Sequence, residues 1–320
     1  MKALVYRRFG PPEVLSCEEI PKPEPRANEV LVKIRAASLN PLDWRLLSGG
    51  PPPFPWLLSL KGGVKRIGRD FSGVVESVGT EVKRFKPGDA VFGAGHGGFA
   101  EYTCAAEDRL VVKPGGVTFE QAAAIPVAGL SALQAVRDTG KLQSGQAVLV
   151  NGAAGGVGTF AVQLARIMGA RVHGVCSTRN VEMVRSLGAE RVFDYTREDF
   201  TAAAGRYDLI VDNVGNHPFS VLRRKLTPNG IYVGIGGPKE MSKMAAGMFA
   251  AIWLSLRYKS HRVLMAKMSH ADLTYIADLV AAGKLTPVIS DRFPLSRGVE
   301  AVELSAGGHA SGKVIIHMDA

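Results

Sequence analysis

Two short stretches of this 320-residue chain carry groups suited to holding a phosphorylated ligand. The first is Ala153-Ala154-Gly155-Gly156-Val157-Gly158. Glycines at 155 and 158 let a backbone approach a pyrophosphate and let a following helix pack close to a strand. The first position of the usual G-x-G-x-x-G spacing is Ala153, with Gly152 one residue early. The second stretch, about 20 residues on, is Ser177-Thr178-Arg179-Asn180, with two hydroxyls, a guanidinium and an amide. Glycine-bound pyrophosphate followed by a polar cluster at that distance is the chemistry of a dinucleotide site, and hence of a redox cofactor.

The elements needed to position these groups are legible around them. Ala147–Asn151 reads as a buried strand, the glycines as a turn, and 155–168 as an apolar helix stopped at Gly169. The helix N-terminus then offers free N–H groups and the positive end of its dipole to the phosphates. A second strand, 171–176, ends at Val175-Cys176. No Asp or Glu stands at its end to hold a ribose 2′-hydroxyl or repel a 2′-phosphate, which favours NADPH over NADH. Cys176 reads as a small apolar filler rather than a reactive thiol. Further strands are expected at 191–194, 208–212 and 230–235, with helices at 179–187 and 217–226. Alternation of this kind predicts a doubly wound parallel sheet. Glycine-rich loops at Asn213-Val214-Gly215 and Gly234–Gly237 end strands of that sheet and are expected to face the nicotinamide.

Residues 1 to about 118 read differently. Short alternating runs at Ala3–Tyr6, Val30–Ala36, Gly73–Val78, Ala90–Phe92 and Leu110–Val112 lie between Pro and Gly. Pro51–Pro55 is a proline-rich loop, followed by apolar Trp56–Leu60. Thr118-Phe119-Glu120-Gln121 has the form of a capping box, and a second helix follows Pro126. The tail Gly312–His317 returns to strand texture, so the first domain is expected to be discontinuous.

Composition bounds the alternatives. The three cysteines, Cys17, Cys104 and Cys176, form no C-x-x-C pair, which argues against disulfide scaffolds and a structural zinc lobe. The N-terminal apolar run is too short for a signal peptide, and a cytoplasmic home is expected. Net charge is +10, but neither a reading helix nor interleaved aromatics accompany it, so nucleic acid is not an expected partner. Met244–Leu256 is nearly apolar but too short to span a bilayer. A buried or dimer-facing helix is its first reading. A lid over an apolar pocket, or a weak contact with a membrane surface, is the sharper one.

Several blocks together resemble the medium-chain dehydrogenases/reductases. They are Gly68-Arg69-Asp70-Phe71-Ser72-Gly73 through Gly79, Lys86–Gly93, Gly98–Tyr102, the 153–158 turn, Val211–Gly215 and His309–Val314. Within that family, Asn40-Pro41-Leu42-Asp43 looks like the zinc-independent quinone oxidoreductase and enone reductase branch. Zinc-type members resemble one another in a cysteine in this stretch and a histidine where this chain has Arg69, a cation that cannot ligate zinc. No metal is therefore expected.

The resemblance implies a GroES-like β domain from both chain ends (1–122 and 266–320) and an inserted Rossmann domain (123–265). It implies hydride transfer from NADPH to a quinone or α,β-unsaturated carbonyl, and a homodimer. On the cofactor side it implicates Ala154, Gly155, Gly156, Val157, Cys176, Ser177, Arg179, Asn180, Tyr195, Asn213, Val214, Gly234, Gly236, Gly312 and Lys313. On the catalytic side stand Asn40, Asp43 and Arg45. Arg45 occupies a position where many members carry tyrosine or lysine. It is read as a permanent cation for the ribose or an enolate oxygen, or as one half of a surface salt bridge. Two other functions stay open: a non-catalytic NADPH-binding protein acting through a partner, membrane or RNA, and a zinc-type alcohol dehydrogenase.

Overall fold

The structure is a computed structural model and describes residues 1–47, 64–236, 241–308 and 310–318, with the side chains of 241–246 and 248 excepted. The expected loop Pro51–Pro55 and the run Trp56–Leu60 lie outside the described residues. The chain divides into two compact units, Met1–Val127 with Met268–Ala320, and Ala128–Lys267. The crossings fall at 127/128 and 267/268. The reason for the first is local. The helix Phe119–Ala124 buries Ala123 and Ala124 against Ala36 and Ile315, so it belongs to the first unit.

The first unit is β-rich. Its early strands are β1 (Lys2–Tyr6), β2 (Ser16–Glu19), β3 (Glu29–Ser38) and β4 (Lys65–Arg66). They are followed by β5 (Asp70–Val78), β6 (Ala90–Ala94), β7 (Tyr102–Ala106) and β8 (Leu110–Val112). The second unit supplies β9 (Ala147–Asn151), β10 (Arg171–Cys176), β11 (Arg191–Asp194), β12 (Tyr207–Asp212), β13 (Leu226–Gly234) and β14 (His261–Val263). The chain then returns to the first unit with β15 (Ile289–Pro294) and β16 (Lys313–His317).

In the first unit a small sheet runs β2-β1-β4, and a larger one runs β15-β16-β3-β5-β6-β8, with β7 also paired to β3. β16, from the end of the chain, pairs antiparallel with β3, with Ile316 opposite Ala37. That pairing makes the domain discontinuous. Its core includes Phe71, Phe99, Leu110, Val314 and Ile316. The Thr118 capping box is present: Gln121 N–H donates to Thr118 Oγ1 at 3.1 Å, and Thr118 N–H donates to Gln121 Oε1 at 3.0 Å.

In the second unit a single parallel sheet runs β11-β10-β9-β12-β13-β14. Strand order reverses at β9, so the carboxyl ends of β9, β10 and β12 flank the switch point where such sheets bind ligands. The sixth strand, β14, is short and was not expected from the sequence. Its His-Arg-Val has none of the Gly or Pro boundaries that mark longer strands. The expected second helix after Pro126 is α-helical to Leu133 and continues as a π-helical turn to Thr139. The Met244–Leu256 run lies within the helix Met241–Arg257. Phe249, Ile252, Trp253 and Leu256 are all exposed in the single chain, so the helix is not buried within its own unit, and the dimer-facing reading stands open. No helix among the described residues is long and apolar enough to cross a membrane.

Candidate active site

Residues singled out from the sequence gather at two places, one in each unit. In the second unit, β9 delivers its backbone into the turn at Gly152, which adopts φ +75°. The helix Gly156–Ile167 begins after Gly155 as N-cap. Gly155 brings no capping side chain, so the first-turn N–H groups are left for water or a ligand. Gly155 and Gly158 do different work. A methyl group at 158 would lie 2.1 Å from Gly152 O, so only glycine lets this helix sit against the turn. One at 155 would meet only Gly152 O, at 3.5 Å. The space over Gly155 is therefore open and faces uncapped N–H groups, which fits an anionic phosphate. Ala154 lines the turn almost fully buried, and Val157 follows in the first helical turn.

At the end of β10, Cys176 is buried, and burial pushes its thiol up to about 11. It is a neutral filler at ordinary pH, with no thiolate character. Thr178 and Arg179 are exposed, while Ser177 and Asn180 are half-buried. Asn180 Nδ2 donates to Ser177 Oγ at 3.1 Å, which fixes the two as a pair.

One expectation needs correction here. β10 itself ends without a carboxylate, but its parallel neighbour places Asp194 beside Cys176. Thr178 Oγ1 donates to Asp194 Oδ2 at 2.6 Å, so this hydroxyl already has an acceptor within the protein. Hydrogen bonds from Thr178 and Thr196 hold the Asp194 carboxyl below its usual range. The available signal was the aspartate ending the third strand, the register partner of Cys176. Tyr195, the next residue, is 62% exposed, with its ring free of the core.

The carboxyl ends of β9, β12 and β13 are tied by a polar knot. Asp212 is fully buried and accepts from Asn151 Nδ2 at 2.9 Å and Tyr232 Oη at 3.0 Å. It also accepts from the backbone N–H groups of Val214 at 3.0 Å and Gly215 at 2.9 Å. Burial beside Asp212 raises the Tyr232 phenol, so it stays a donor. These contacts set the 213–215 loop. Asn213 Nδ2 donates to Asn151 O at 3.0 Å, while its Oδ1 is buried with no partner. An orphaned buried carbonyl at the switch point fits a ligand amide or hydroxyl donor. A methyl group at Gly236 would lie 2.1 Å from Asn213 O, so that glycine is required by the loop contact itself. At Gly234 one would meet only Tyr232, at 3.3 Å. Asn151, Asp212 and Tyr232 were not among the expected site residues. Buried polar groups at strand ends look like ordinary strand residues until the register brings them together.

In the first unit the helix Pro41–Leu47 opens on a local turn. Asn40 N–H donates to Asp43 Oδ2 at 2.8 Å, and Asp43 N–H donates to Asn40 O at 2.9 Å. The buried cation beside them comes from the other end of the chain. Lys313 Nζ donates to Asn40 Oδ1 at 2.7 Å and Leu39 O at 2.8 Å, and lies 3.7 Å from Asp70 Oδ2. Asn40, Asp43, Asp70 and Lys313 are each at most 3% exposed. Lys313 was expected on the cofactor side; its ammonium is engaged by these groups of its own unit. Gly312 holds φ +84° with a methyl position only 2.4 Å from Val288 O, and so steers the chain into β16.

Two carboxyls and one ammonium share this buried site. Burial pushes Asp43 up to about 7, against the pull of the Asn40 N–H, and the nearby Asp70 charge adds to the rise. Burial raises Asp70 and is opposed first by Lys313, then by the neighbouring Asn40 amide. Asn40 Nδ2 and Asp70 Oδ1 nevertheless lack a hydrogen bond of good geometry. Lys313 is lowered by burial and held up by the two carboxyls. Each charge is disfavoured here by burial and sustained by its neighbours, so the three groups titrate as one coupled set. With Oδ1 taken by Lys313, Asn40 keeps Nδ2 as its remaining donor. Arg45 is half-buried, its guanidinium 5.3 Å from the Trp44 ring centroid.

Comparison with known proteins agrees with this architecture. Residues 26–115 match the alcohol dehydrogenase GroES-like domain, and 187–316 match a domain described as zinc-binding dehydrogenase. The chloroplast envelope quinone oxidoreductase homolog of Arabidopsis thaliana is 37% identical, covering 99% of this chain and 98% of the relative. The chloroplastic NADPH-dependent alkenal/one oxidoreductase of the same plant is 32% identical over 99% of this chain and 79% of its own. The solved quinone oxidoreductase of Coxiella burnetii superposes with a TM-score of 0.87 at 35% identity, covering 100% of this chain and 99% of that one. With relatives this similar along its whole length, the chain belongs to the quinone oxidoreductase branch of the medium-chain dehydrogenases/reductases.

Proposed function

We propose that this protein is an NADPH-dependent reductase of quinones or α,β-unsaturated carbonyl compounds. The observation that carries the reading is the β9–turn–helix cradle, open over Gly155 and uncapped, with Ser177, Arg179 and Asn180 at the end of the adjacent strand. Relatives named quinone oxidoreductase and alkenal/one oxidoreductase support it. In this reading the helix N-terminus and Ala154–Val157 hold the pyrophosphate. Ser177, Arg179 and Asn180 hold the 2′-phosphate, with Tyr195 beside them. Asn213, Val214, Gly234 and Gly236 border the nicotinamide. When bound, NADPH supplies the hydride, and the protein contributes position and electrostatics.

Asn40 donates through Nδ2 to a ribose hydroxyl or substrate carbonyl. Arg45 stays cationic toward an oxygen that gains negative charge. Asp43, its carboxyl pushed up to about 7 by burial, fixes the Asn40 backbone. The proton that completes enone reduction comes from water. No zinc takes part, because Arg69 stands where zinc-type members carry a ligand. The homodimer belongs to the same reading, and light scattering measures it. The expected cytoplasmic home draws no support from relatives named for the chloroplast.

Purified protein mixed with NADPH and a panel of quinones and 2-enones is expected to consume the reduced nicotinamide absorbance. Tight NADPH binding without turnover on any acceptor would replace the reductase with a non-catalytic binding protein. Stoichiometric zinc in the purified enzyme would favour the alcohol dehydrogenase alternative. Arg179→Ala is expected to weaken NADPH binding by roughly 10- to 100-fold, a charged hydrogen bond being worth about 1.5–3 kcal/mol, and to leave NADH nearly unchanged. Equal losses for both cofactors would remove the 2′-phosphate assignment.

A further inference from the structure

The helix Met241–Arg257 carries its exposed apolar residues in one stripe. Phe249, Ile252, Trp253 and Leu256 fall at spacings of three, four and seven, so they share a face. They are 76%, 48%, 61% and 84% exposed. A contiguous stripe left this exposed among the described residues is an interaction surface rather than a scatter of surface residues.

The chemistry around the stripe identifies what it meets. On one flank a groove of about 310 Å³ is lined by Trp253, Arg223, Arg224 and Tyr258. The Arg223 guanidinium lies 4.7 Å from the Tyr258 ring centroid, and that of Arg257 lies 5.2 Å from it. On the other flank, an open groove sets Ile252 and Leu256 beside Lys259 and Arg262. The charge is strongly one-sided. Between Asn213 and Ala271 the sequence has nine Lys and Arg and a single acid, Glu240, so this stretch holds +8 of the chain's net +10. A second copy of the chain would bring cations against cations if the stripe paired with itself about a two-fold axis.

We infer that this face docks on a membrane surface rich in anionic phospholipid. Phe249, Ile252, Trp253 and Leu256 enter the boundary between headgroups and acyl chains, and Arg223, Arg224, Arg257, Lys259 and Arg262 meet lipid phosphates. An apolar helix face with tryptophan and a basic rim, too short to span the bilayer, lies in the interface plane. Each basic residue near an anionic surface adds to the attraction, and salt screens it beyond a Debye length. An apolar quinone is concentrated in the same lipid, so docking would bring the enzyme to its acceptor. The docking itself does not depend on the reductase reading.

The test is co-sedimentation of the intact protein with vesicles of phosphatidylcholine alone or with added phosphatidylglycerol. Binding to the anionic vesicles, reduced by salt, is the expected result. Vesicle addition is also expected to shift tryptophan emission to shorter wavelength, and Trp253→Phe to abolish most of that shift. Leu256→Glu should lower the partition coefficient at least tenfold. Arg223→Gln with Arg224→Gln should lower it about tenfold on anionic vesicles, from about 1 kcal/mol per charge with partial compensation. Melting temperatures equal to the parent's confirm that these variants are folded. No sedimentation with anionic vesicles, or equal sedimentation of the Leu256→Glu variant, overturns the proposal. So does light scattering in which Leu256→Glu halves the mass of an otherwise oligomeric protein, since the stripe would then be a subunit interface.

Discussion

Asp43 shows how a residue acquires its chemistry from neighbours far away in sequence. A carboxyl after Asn-Pro-Leu at the start of a short helix has an ordinary sequence setting. Its displaced titration comes from burial, with the Asp70 charge adding to the rise and the Lys313 cation opposing it. The sign of the consequence is fixed. The folded form keeps a proton up to about pH 7, while the unfolded chain releases it near 3.9. Between those values the folded state binds more protons, so this residue's contribution to stability falls as pH rises, and its full penalty is present above pH 7. Asp43→Asn keeps an oxygen for the Asn40 N–H and removes the ionisation. The variant is expected to gain on the order of 1–3 kcal/mol over the parent at pH 8 and little near pH 4. Denaturant titrations at the two pH values measure this, and a gain of equal size at both would count against a buried ionising Asp43.

The glycine turn makes its prediction as an element. Its two glycines are equivalent in the motif but not in the structure. Gly158→Ala forces a methyl onto Gly152 O and is expected to cost about 1–3 kcal/mol of stability together with cofactor affinity. Gly155→Ala keeps an accessible backbone conformation, φ −79°, and leaves the melting temperature nearly unchanged. It narrows the open space, so NADPH binding is expected to weaken. Thermal melts with and without NADPH separate the two effects. A Gly155→Ala variant that loses stability but not affinity would contradict the cradle. The motif signalled the turn and the helix, because glycine tolerance and apolar periodicity are local properties. It did not divide the work between 155 and 158, since that depends on which carbonyl lies opposite.

At the scale of the molecule, the two units have separate hydrophobic cores, one including Phe71, Phe99 and Ile316, the other Leu149, Phe193, Phe219 and Tyr232. Cofactor held in the second unit is therefore expected to stabilise that unit foremost, by about 2.7 kcal/mol at a hundredfold excess over Kd, and so to raise its melting temperature. Calorimetry with increasing NADPH would show a transition that moves with concentration, and NADPH without effect on any transition would remove the binding site. The alternation of strands and helices, the phosphate turn, and the change from β texture to α/β are legible in the residues alone, because they rest on periodicity and on glycine, proline and capping chemistry within a few residues. So is the charge bias of residues 213–271, which is a matter of counting. Folding alone brings Lys313 to Asn40 and Asp70, sets Asp194 beside Cys176, knots three strand ends on Asp212 and leaves the 249–256 stripe exposed. Each of these turns on the register of strands or on what packs against a face, and those are contacts between residues that the chain keeps far apart.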